Sequence, residues 1–290
     1  MKNLKKILIK PILEFIEFVL FKLTKLLLNI IGFKNASLFG GYLFKILGPF
    51  TKYNKIIKTN MGSIFDNQKE IESLTLINFQ QMGKTFFEFI NLNNFKQNNL
   101  TIINEKYLQE IIQSKKSYIF ISAHYGNWEI TRNFLLDYGF ELHTVYRHAN
   151  NKLIDKEIQK IRKKPNAHFY KKGKESAKNM IKALKNNEYL AILIDQKDSS
   201  GSKINFFNKQ AITNTGFASL ALKYHTGICP VRSKRKKDGS FEIIVDKPIV
   251  FHDYENKSEV EITELIYKNY IEHWIKDDPT QWLWAHKRWS

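Results

Sequence analysis

The chain has 290 residues and carries 46 lysines and arginines against 28 aspartates and glutamates, a formal net charge of +18. Its hydrophobic share of 43% excludes a disordered chain, and its length allows a full core. The one cysteine, Cys229, excludes an internal disulfide and a cysteine-based zinc site. The charge favours anionic partners such as nucleic acid, an anionic membrane or phosphorylated lipid, although the codon bias of an AT-rich genome would also enrich lysine.

Residues 1–31 are the first predicted element, a helix that opens with lysines and continues as a long apolar run. The absence of a small-residue cleavage site disfavours a signal peptide, and charges within the run disfavour a membrane span. These polar residues share one helical face: Lys10, Glu14, Glu17, Lys25 and Asn29, with Lys22 at its edge. The pattern favours a membrane-associating helix that lies in the interface, with an amphipathic core helix as the alternative.

The next predicted elements are helical pieces and turns over residues 33–67 and a strong helix over residues 69–92. After a polar break, strand and helix patterns alternate. Strands are predicted at 117–122, 140–146, 167–171, 189–195, 228–233 and 241–251, and helices at 127–138, 151–164, 174–187, 213–226 and 259–276. This alternation predicts a single α/β domain over residues 32–290, with a mostly parallel central sheet flanked by helices.

A strand, a short loop and a helix start follow one another between residues 117 and 136. The strand ends just before His124, Asn127 is a natural N-cap, and Glu129 falls in the first helical turn. A carboxylate at this position is favoured in its ionised form by the helix dipole. If it lies beside the imidazole, it can fix the tautomer that a general base needs, although a structural histidine would fit the same pattern.

Three further residues are candidate site residues. Asp195 ends an apolar strand, where it is either buried and paired or a cap for the next turn. Arg147 ends another strand, where it could bind a phosphate or carboxylate. Arg162 lies among lysines on a predicted helix, which is also typical of a solvated face. Because reacting groups gather at the carboxyl ends of parallel strands, we expect His124 and Asp195 at one edge of the sheet.

Two basic segments have competing interpretations. The run 234–237 precedes an Asp-Gly pair and is typical of a solvated turn or a headgroup contact. The segment 281–289 combines three tryptophans with basic residues, which favours core packing with a basic lip over nucleic-acid stacking. The sequence has no glycine-rich phosphate loop, no Gly-x-Ser-x-Gly elbow and no His/Cys cluster with metal spacing, which disfavours most cofactor enzymes.

The segment from His124 to Glu129 resembles the His-x4-Asp/Glu motif of glycerolipid-type acyltransferases. More closely, the chain resembles the late acyltransferases of lipid A synthesis, the lauroyl/myristoyl acyltransferases, over nearly its whole length. The matching stretches occur in order: Asn60, Asn78-Phe79, Gly83, Glu88, Tyr146-Arg147, Lys171-Lys-Gly173, Met180–Leu184, Asp195-Gln196, Phe206-Phe207, Thr213–Gly216 and Gln281–Trp289. The chain departs from the family where prolines are replaced by His148 and Lys152.

The resemblance implies an enzyme at the cytoplasmic face of the inner membrane. It would move a fatty acyl group from acyl carrier protein to a hydroxyl of a phosphorylated lipid A precursor. By position, His124 and Glu129 would be the catalytic dyad, and Arg162 and Asp195 would be further required residues. We expect no metal, no redox cofactor and no nucleic-acid partner. A related acyltransferase for another lysolipid or glycolipid, and a non-enzymatic basic protein that binds membranes or nucleic acid, are the alternatives.

Overall fold

The computed structural model describes residues 2–289, with side chains described from Lys10 onward. The α-helices of this part of the chain are α1 (Lys2–Leu47), α2 (Lys52–Met61), α3 (Gln68–Ile90), α4 (Lys106–Ser114), α5 (Trp128–Asp137), α6 (Lys152–Arg162), α7 (Lys174–Lys185), α8 (Gly216–Tyr224), α9 (Glu259–Ile266) and α10 (Glu272–Asp277). The strands are β1 (Leu100–Ile103), β2 (Tyr118–Ser122), β3 (Leu142–Tyr146), β4 (Ala167–Lys171), β5 (Tyr189–Leu193), β6 (Lys197–Phe206), β7 (Lys209–Thr213), β8 (Gly227–Arg235) and β9 (Phe241–Val245).

Seven strands form the central sheet in the order β1-β9-β8-β2-β5-β3-β4. All neighbours pair in parallel except β8 and β9, which are antiparallel. The prediction of an α/β fold with a mostly parallel sheet and flanking helices is therefore confirmed. Because β2 and β5 are parallel neighbours, the loops that follow them emerge side by side at one edge of the sheet.

The central strand β2 separates two hydrophobic cores, because successive side chains of a strand point to opposite faces. Ile119 and Ile121 belong to the core that contains α2, α8 and the C-terminal tryptophans. Tyr118 and Phe120 belong to the core beneath α4 and α5. Burial on both faces holds β2 rigidly and fixes the position of the loop that begins after Ser122.

Several elements differ from the sequence predictions. Strand β1, helix α4 and the antiparallel hairpin of β6 and β7 were not predicted. Strand β1 has only four residues, and β6 is a polar segment without regular alternation, so neither carries a strong hydrophobic period. The strand predicted over 241–251 is too long, because regular pairing ends at Val245 and only Ile249 bridges back to Ile228.

Helix α1 extends beyond the predicted boundary at residue 31 but has a kink at Gly32, whose φ of 78° and ψ of 169° are not helical. Part of its polar stripe faces the protein: Lys22 and Lys25 lie 3.3 and 3.6 Å from Glu157 on α6. The opposite side presents large apolar side chains to solvent: Ile12, Leu13, Phe15, Ile16, Val19, Leu20, Leu23, Leu26, Leu27, Ile30 and Ile31. None of the helices in the described part of the chain has the length and apolar character of a membrane span.

The basic run 234–237 is only in part the solvated turn that we predicted, because its first two residues belong to β8 and its last two lead into the turn between β8 and β9. Strand β8 continues through Arg235, whose side chain is buried, and the turn begins only after it. Lys234 also has a protein partner, because its Nζ lies 2.8 Å from Asp277. Only the residues after Arg235 form the exposed turn. The neighbouring lysines made the whole run resemble a solvated turn, although Arg235 is buried.

Candidate active site

His124 and Asp195 form a hydrogen-bonded pair at the carboxyl ends of β2 and β5. The imidazole Nδ1 lies 2.8 Å from Asp195 Oδ1, and the backbone N–H of His124 donates to Asp195 Oδ2 at 2.9 Å. The pair forms because two adjacent parallel strands end at the same edge of the sheet. With its proton on Nδ1, the imidazole directs an unprotonated Nε2 toward the cavities described below, which is the state that a general base requires.

The segment 281–289, which contains three tryptophans, is hydrogen-bonded to both members of this pair. Trp282 donates its indole N–H to Asp195 Oδ2 at 2.8 Å, and the N–H of Leu283 donates to the carbonyl oxygen of His124 at 2.9 Å. Asn78 on α3 in turn donates to the carbonyl oxygens of Thr280 and Trp282. Trp282 is buried, so the prediction that this segment packs as core is confirmed.

Asp195 is 2% exposed, and its environment favours the carboxylate. Burial alone would raise the pKa of the Asp195 carboxyl. The charge and hydrogen bonds of His124, with the indole of Trp282, outweigh burial and bring the pKa below its ordinary value. The carboxylate is thus ionised at neutral pH and can stabilise the imidazolium that forms when His124 takes a proton.

Glu129 lies in the first turn of α5, as predicted, and the side chain of Asn127 caps this helix by accepting from the N–H groups of Glu129 and Ile130. The carboxylate does not take the orienting position that we expected beside His124. Among the described residues its hydrogen-bond partner is Arg162 on α6, whose Nε lies 3.1 and 3.3 Å from the two carboxylate oxygens and whose Nη2 also contacts it. Asp195 therefore occupies the position that we had given to Glu129.

A second arginine, which the sequence analysis missed, lies against the same carboxylate. Arg132 Nη2 is 3.5 Å from Glu129 Oε2, three residues further along α5. Burial raises the pKa of Glu129, but the charges of Arg132 and Arg162 and the Arg162 hydrogen bond bring it below its usual range. Burial also lowers the pKa of Arg132 to about 10, so both groups remain charged at neutral pH. The i,i+3 spacing of acid and base on a predicted helix could have revealed this pair.

Glycine is required at position 126 within the loop between His124 and Glu129. Gly126 has a φ of 58°, and an added Cβ would lie 2.1 Å from the carbonyl oxygen of Ser233. An L-side chain would be strained by this φ and would collide with β8. The loop is therefore pressed closely against the strand, which limits the positions that His124 and Glu129 can adopt.

Two cavities border this group of residues and share His124, Trp128, Glu129 and Arg162 in their walls. A mainly apolar chamber of about 230 Å³ is lined by Phe44, Phe86 and Phe89 and reaches His124 and Arg162. A larger cavity of about 880 Å³ also reaches His124 and Arg162, and polar and basic residues contribute to its wall. Trp128, whose ring lies 4.8 Å from the His124 ring, borders both. His124 is therefore accessible from both cavities.

The structure thus brings together four of the five predicted site residues: His124, Glu129, Arg162 and Asp195. Arg147 is exposed and lines the larger cavity, apart from the hydrogen-bonded groups of the other four residues. No group of three or more His, Cys, Asp or Glu side chains in the described residues could hold a metal ion.

Arg162→Ala should lower the rate of the reaction at this site more than Lys163→Ala does. The first change leaves Glu129 without its main hydrogen-bond donor, whereas Lys163 is exposed at the end of the same helix. If Arg162 stabilises developing negative charge, its loss should lower kcat about 10²–10³-fold. Equal, small effects of both substitutions on steady-state rates would show that Arg162 is only part of a basic surface.

The structure is thus an α/β protein in which the imidazole of His124 is hydrogen-bonded to a buried carboxylate and borders two cavities. The chain belongs to the bacterial lipid A biosynthesis acyltransferase family, whose model matches residues 8–290. It is therefore an acyltransferase of lipid A synthesis, as the sequence resemblance implied. No curated protein matches the chain in a sequence search.

Proposed function

We propose that the chain transfers a fatty acyl group from acyl carrier protein to a hydroxyl of a phosphorylated lipid A precursor, with His124 as the general base. The observation that carries this proposal is the His124–Asp195 pair at the junction of two cavities of different polarity. Ester formation from a thioester and a hydroxyl needs a base, two binding spaces and no redox chemistry. The site residues supply the base, and the cavities supply the two spaces.

In the proposed reaction, His124 Nε2 removes the proton of the acceptor hydroxyl while Asp195 accepts a hydrogen bond from Nδ1. The hydroxyl oxygen attacks the thioester carbonyl, and a tetrahedral oxyanion forms. When it collapses, the carbon–sulfur bond breaks and the protonated His124 returns the proton to the leaving thiolate of the carrier. The products are the acylated acceptor and the free thiol, so atoms and charge balance.

Arg162 is our candidate for stabilising the oxyanion, because its guanidinium borders both cavities beside His124. Glu129 then acts through Arg162 and not through the imidazole. Its carboxylate holds the guanidinium in place and remains ionised because Arg132 supports it. This assignment keeps both members of the His-x4-Glu motif in the reaction but gives them separate tasks.

The two cavities suggest how the substrates divide. The apolar chamber suits the fatty acyl chain, because phenylalanines from α1 and α3 form much of its wall. The larger cavity suits a phosphorylated sugar, because Arg147 and Lys172 lie at its wall and can pair with phosphate. The net charge of +18 also favours the acidic carrier protein and anionic lipid headgroups.

A reconstituted reaction tests the donor and the acceptor. The purified chain would be incubated with a lipid A precursor and one of two donors, an acyl carrier protein thioester or the matching coenzyme A thioester. Mass spectrometry would then measure the masses of the products. We expect one added acyl group with the carrier-protein donor and much slower transfer from coenzyme A. Equal use of both donors would contradict dependence on the carrier protein.

We further propose that the protein lies on the cytoplasmic face of the inner membrane, with α1 in the plane of the interface. The apolar side of residues 12–31 is exposed, while the polar stripe is paired with α6. Such an arrangement allows the apolar side chains to enter the acyl boundary without taking the charged residues with them. It would also bring the active site close to the sugar hydroxyls of a membrane-bound acceptor.

Deleting residues 1–31 should release much of the protein from membranes. Since Leu28 is buried against the body, a second variant carrying Leu20→Glu and Leu27→Glu leaves that contact intact and places charges on the exposed apolar side. Vesicle flotation should show loss of binding for both variants and unchanged binding for Ile112→Glu, a control on the exposed surface of α4. Wild-type flotation of the double-glutamate variant, or an N-terminus open to protease from the periplasm, would contradict the in-plane arrangement.

A further inference from the structure

Glu88 on α3 and Arg235 at the end of β8 form an ion pair whose side chains are each only 1% exposed. Arg235 Nη2 lies 2.5 Å from Glu88 Oε2, and its Nε lies 3.1 Å from Oε1. The remaining donors of the guanidinium reach Gln81 and Thr85 on α3. The charged groups of both residues are therefore hydrogen-bonded inside the protein. The two residues are 147 positions apart in the sequence.

The ion pair also contacts the catalytic loop. Asn127 donates its side-chain N–H to Glu88 Oε2 at 2.8 Å, while its side-chain oxygen caps the helix that carries Glu129. Thr85, which accepts from Arg235, donates its hydroxyl to the carbonyl oxygen of Gly126 at 2.9 Å. Both halves of the loop between His124 and Glu129 are thus connected to the same buried pair.

The backbone of Arg235 extends this connection to the C-terminal segment. Its N–H donates to the side-chain oxygen of Gln281 at 2.8 Å, and its carbonyl oxygen accepts from the Gln281 side-chain N–H at 3.0 Å. The carbonyl oxygen of Gln281 in turn accepts the N–H of Gly126. The arginine therefore lies between the loop and the segment whose next residue, Trp282, binds Asp195.

A contribution to folding stability does not by itself explain why a buried ion pair occupies this position. Removing two charges from water costs free energy, and well-packed apolar residues often replace a buried ion pair without loss of stability. What apolar residues cannot supply is a carboxylate oxygen for the amide of Asn127 and a donor for Thr85. The charged groups of this pair therefore serve as hydrogen-bond partners for the loop, in addition to filling space in the core.

We propose that Glu88 and Arg235 are positioning residues for the acyl transfer reaction, acting through Asn127 and Gly126 on the catalytic loop. They fix the start of α5, so that Glu129 and Arg162 remain aligned with His124 during the reaction. The proposal rests on the proposed function for its kinetic consequences, but its effect on the order of the loop does not depend on that function.

Asn127→Ser provides the sharpest test, because a serine hydroxyl still caps α5 but cannot donate to Glu88 as the amide does. Asn67→Ser is the matched control, since Asn67 caps α3 in the same way and is exposed. We expect kcat to fall about 10- to 100-fold for Asn127→Ser, with KM within about twofold of wild type, because a displacement of about 1 Å is costly in catalysis. The control should keep both constants.

A double variant, Glu88→Leu with Arg235→Met, tests the pair directly. Replacing both charges avoids leaving one of them buried alone, so we expect a folded protein whose melting temperature falls only by the cost of the partners that Asn127 and Thr85 lose. Its kcat should nevertheless fall about as far as that of Asn127→Ser. Wild-type kcat in the folded double variant, or wild-type kcat in Asn127→Ser, would overturn the proposal. Should the double variant fail to fold, the Asn127→Ser result decides.

Hydrogen exchange separates this proposal from the proposed function. Amides of residues 124–130 should exchange faster in Asn127→Ser than in wild type or Asn67→Ser, whatever substrate the enzyme uses. Unchanged exchange in this segment would overturn the positioning role. If the wild-type protein shows no acyl transfer from the carrier protein while the exchange result holds, the proposed function fails and the structural inference stands.

Discussion

Replacing His124 by alanine should abolish acyl transfer while the protein remains folded. The imidazole binds Asp195 and borders both cavities, so its loss should remove the proposed base for the acceptor hydroxyl. Removal of a general base typically costs about 10²–10⁴ in rate. Initial rates with an acyl carrier protein thioester, together with thermal melting, measure both parts of the expectation.

His148→Ala is the matched control for that substitution. His148 is exposed in the loop after β3, and its ring is hydrogen-bonded to the neighbouring Ala149 carbonyl oxygen. We expect nearly wild-type turnover for this variant. If His124→Ala retains wild-type turnover, or if both substitutions lower it equally, His124 is not the base.

Asp195→Asn should produce a loss of comparable size, because asparagine keeps the shape of the side chain but removes its charge. The amide can no longer both accept from Nδ1 and stabilise the imidazolium. In a Ser-His-Asp triad the same change lowers kcat about 10⁴-fold. The effect should appear in kcat, measured at saturating acceptor, with little change in KM.

Asp246→Asn controls for the loss of a partly buried carboxylate. Like Asp195, Asp246 accepts from a tryptophan indole, in this case that of Trp274 at 3.2 Å, but it does not contact His124. We expect this variant to lose some stability and to keep its kcat. Should Glu129→Gln, and not Asp195→Asn, reproduce the kinetics of His124→Ala, the carboxylate originally expected from the motif would be the one that supports the imidazole.

Strand patterns located the two candidate site residues His124 and Asp195 but not their hydrogen-bond partners. His124 and Asp195 each follow an apolar strand, and the parallel sheet then places them at one edge, which the sequence allowed us to predict. The choice between Glu129 and Asp195 as the partner of His124 depends on side-chain directions across the corner between β2 and α5. Local spacing shows that both carboxylates are close, but it does not determine these directions.

Long-range contacts explain most of what the sequence did not reveal. Arg235 stands between lysines in a run that is typical of a solvated turn, yet its partner is Glu88, far away on α3. The orientation of α1 is similar: its periodicity defines a polar stripe, but only the structure shows that Glu157 on α6 pairs with that stripe. In both cases the sequence pattern identified charged residues, but their partners lie on distant helices and are known only from the tertiary fold.

Mass spectrometry of lipid A from living cells shows whether this chain adds an acyl group and whether that transfer needs His124. Cells that lack the gene would be complemented with the wild-type chain or with the His124→Ala variant at equal expression. We predict that lipid A from the unrescued and variant cells lacks one ester-linked fatty acyl group, and that the wild-type chain restores it. Identical lipid A in all three strains, or full restoration by the His124→Ala variant, would contradict the account.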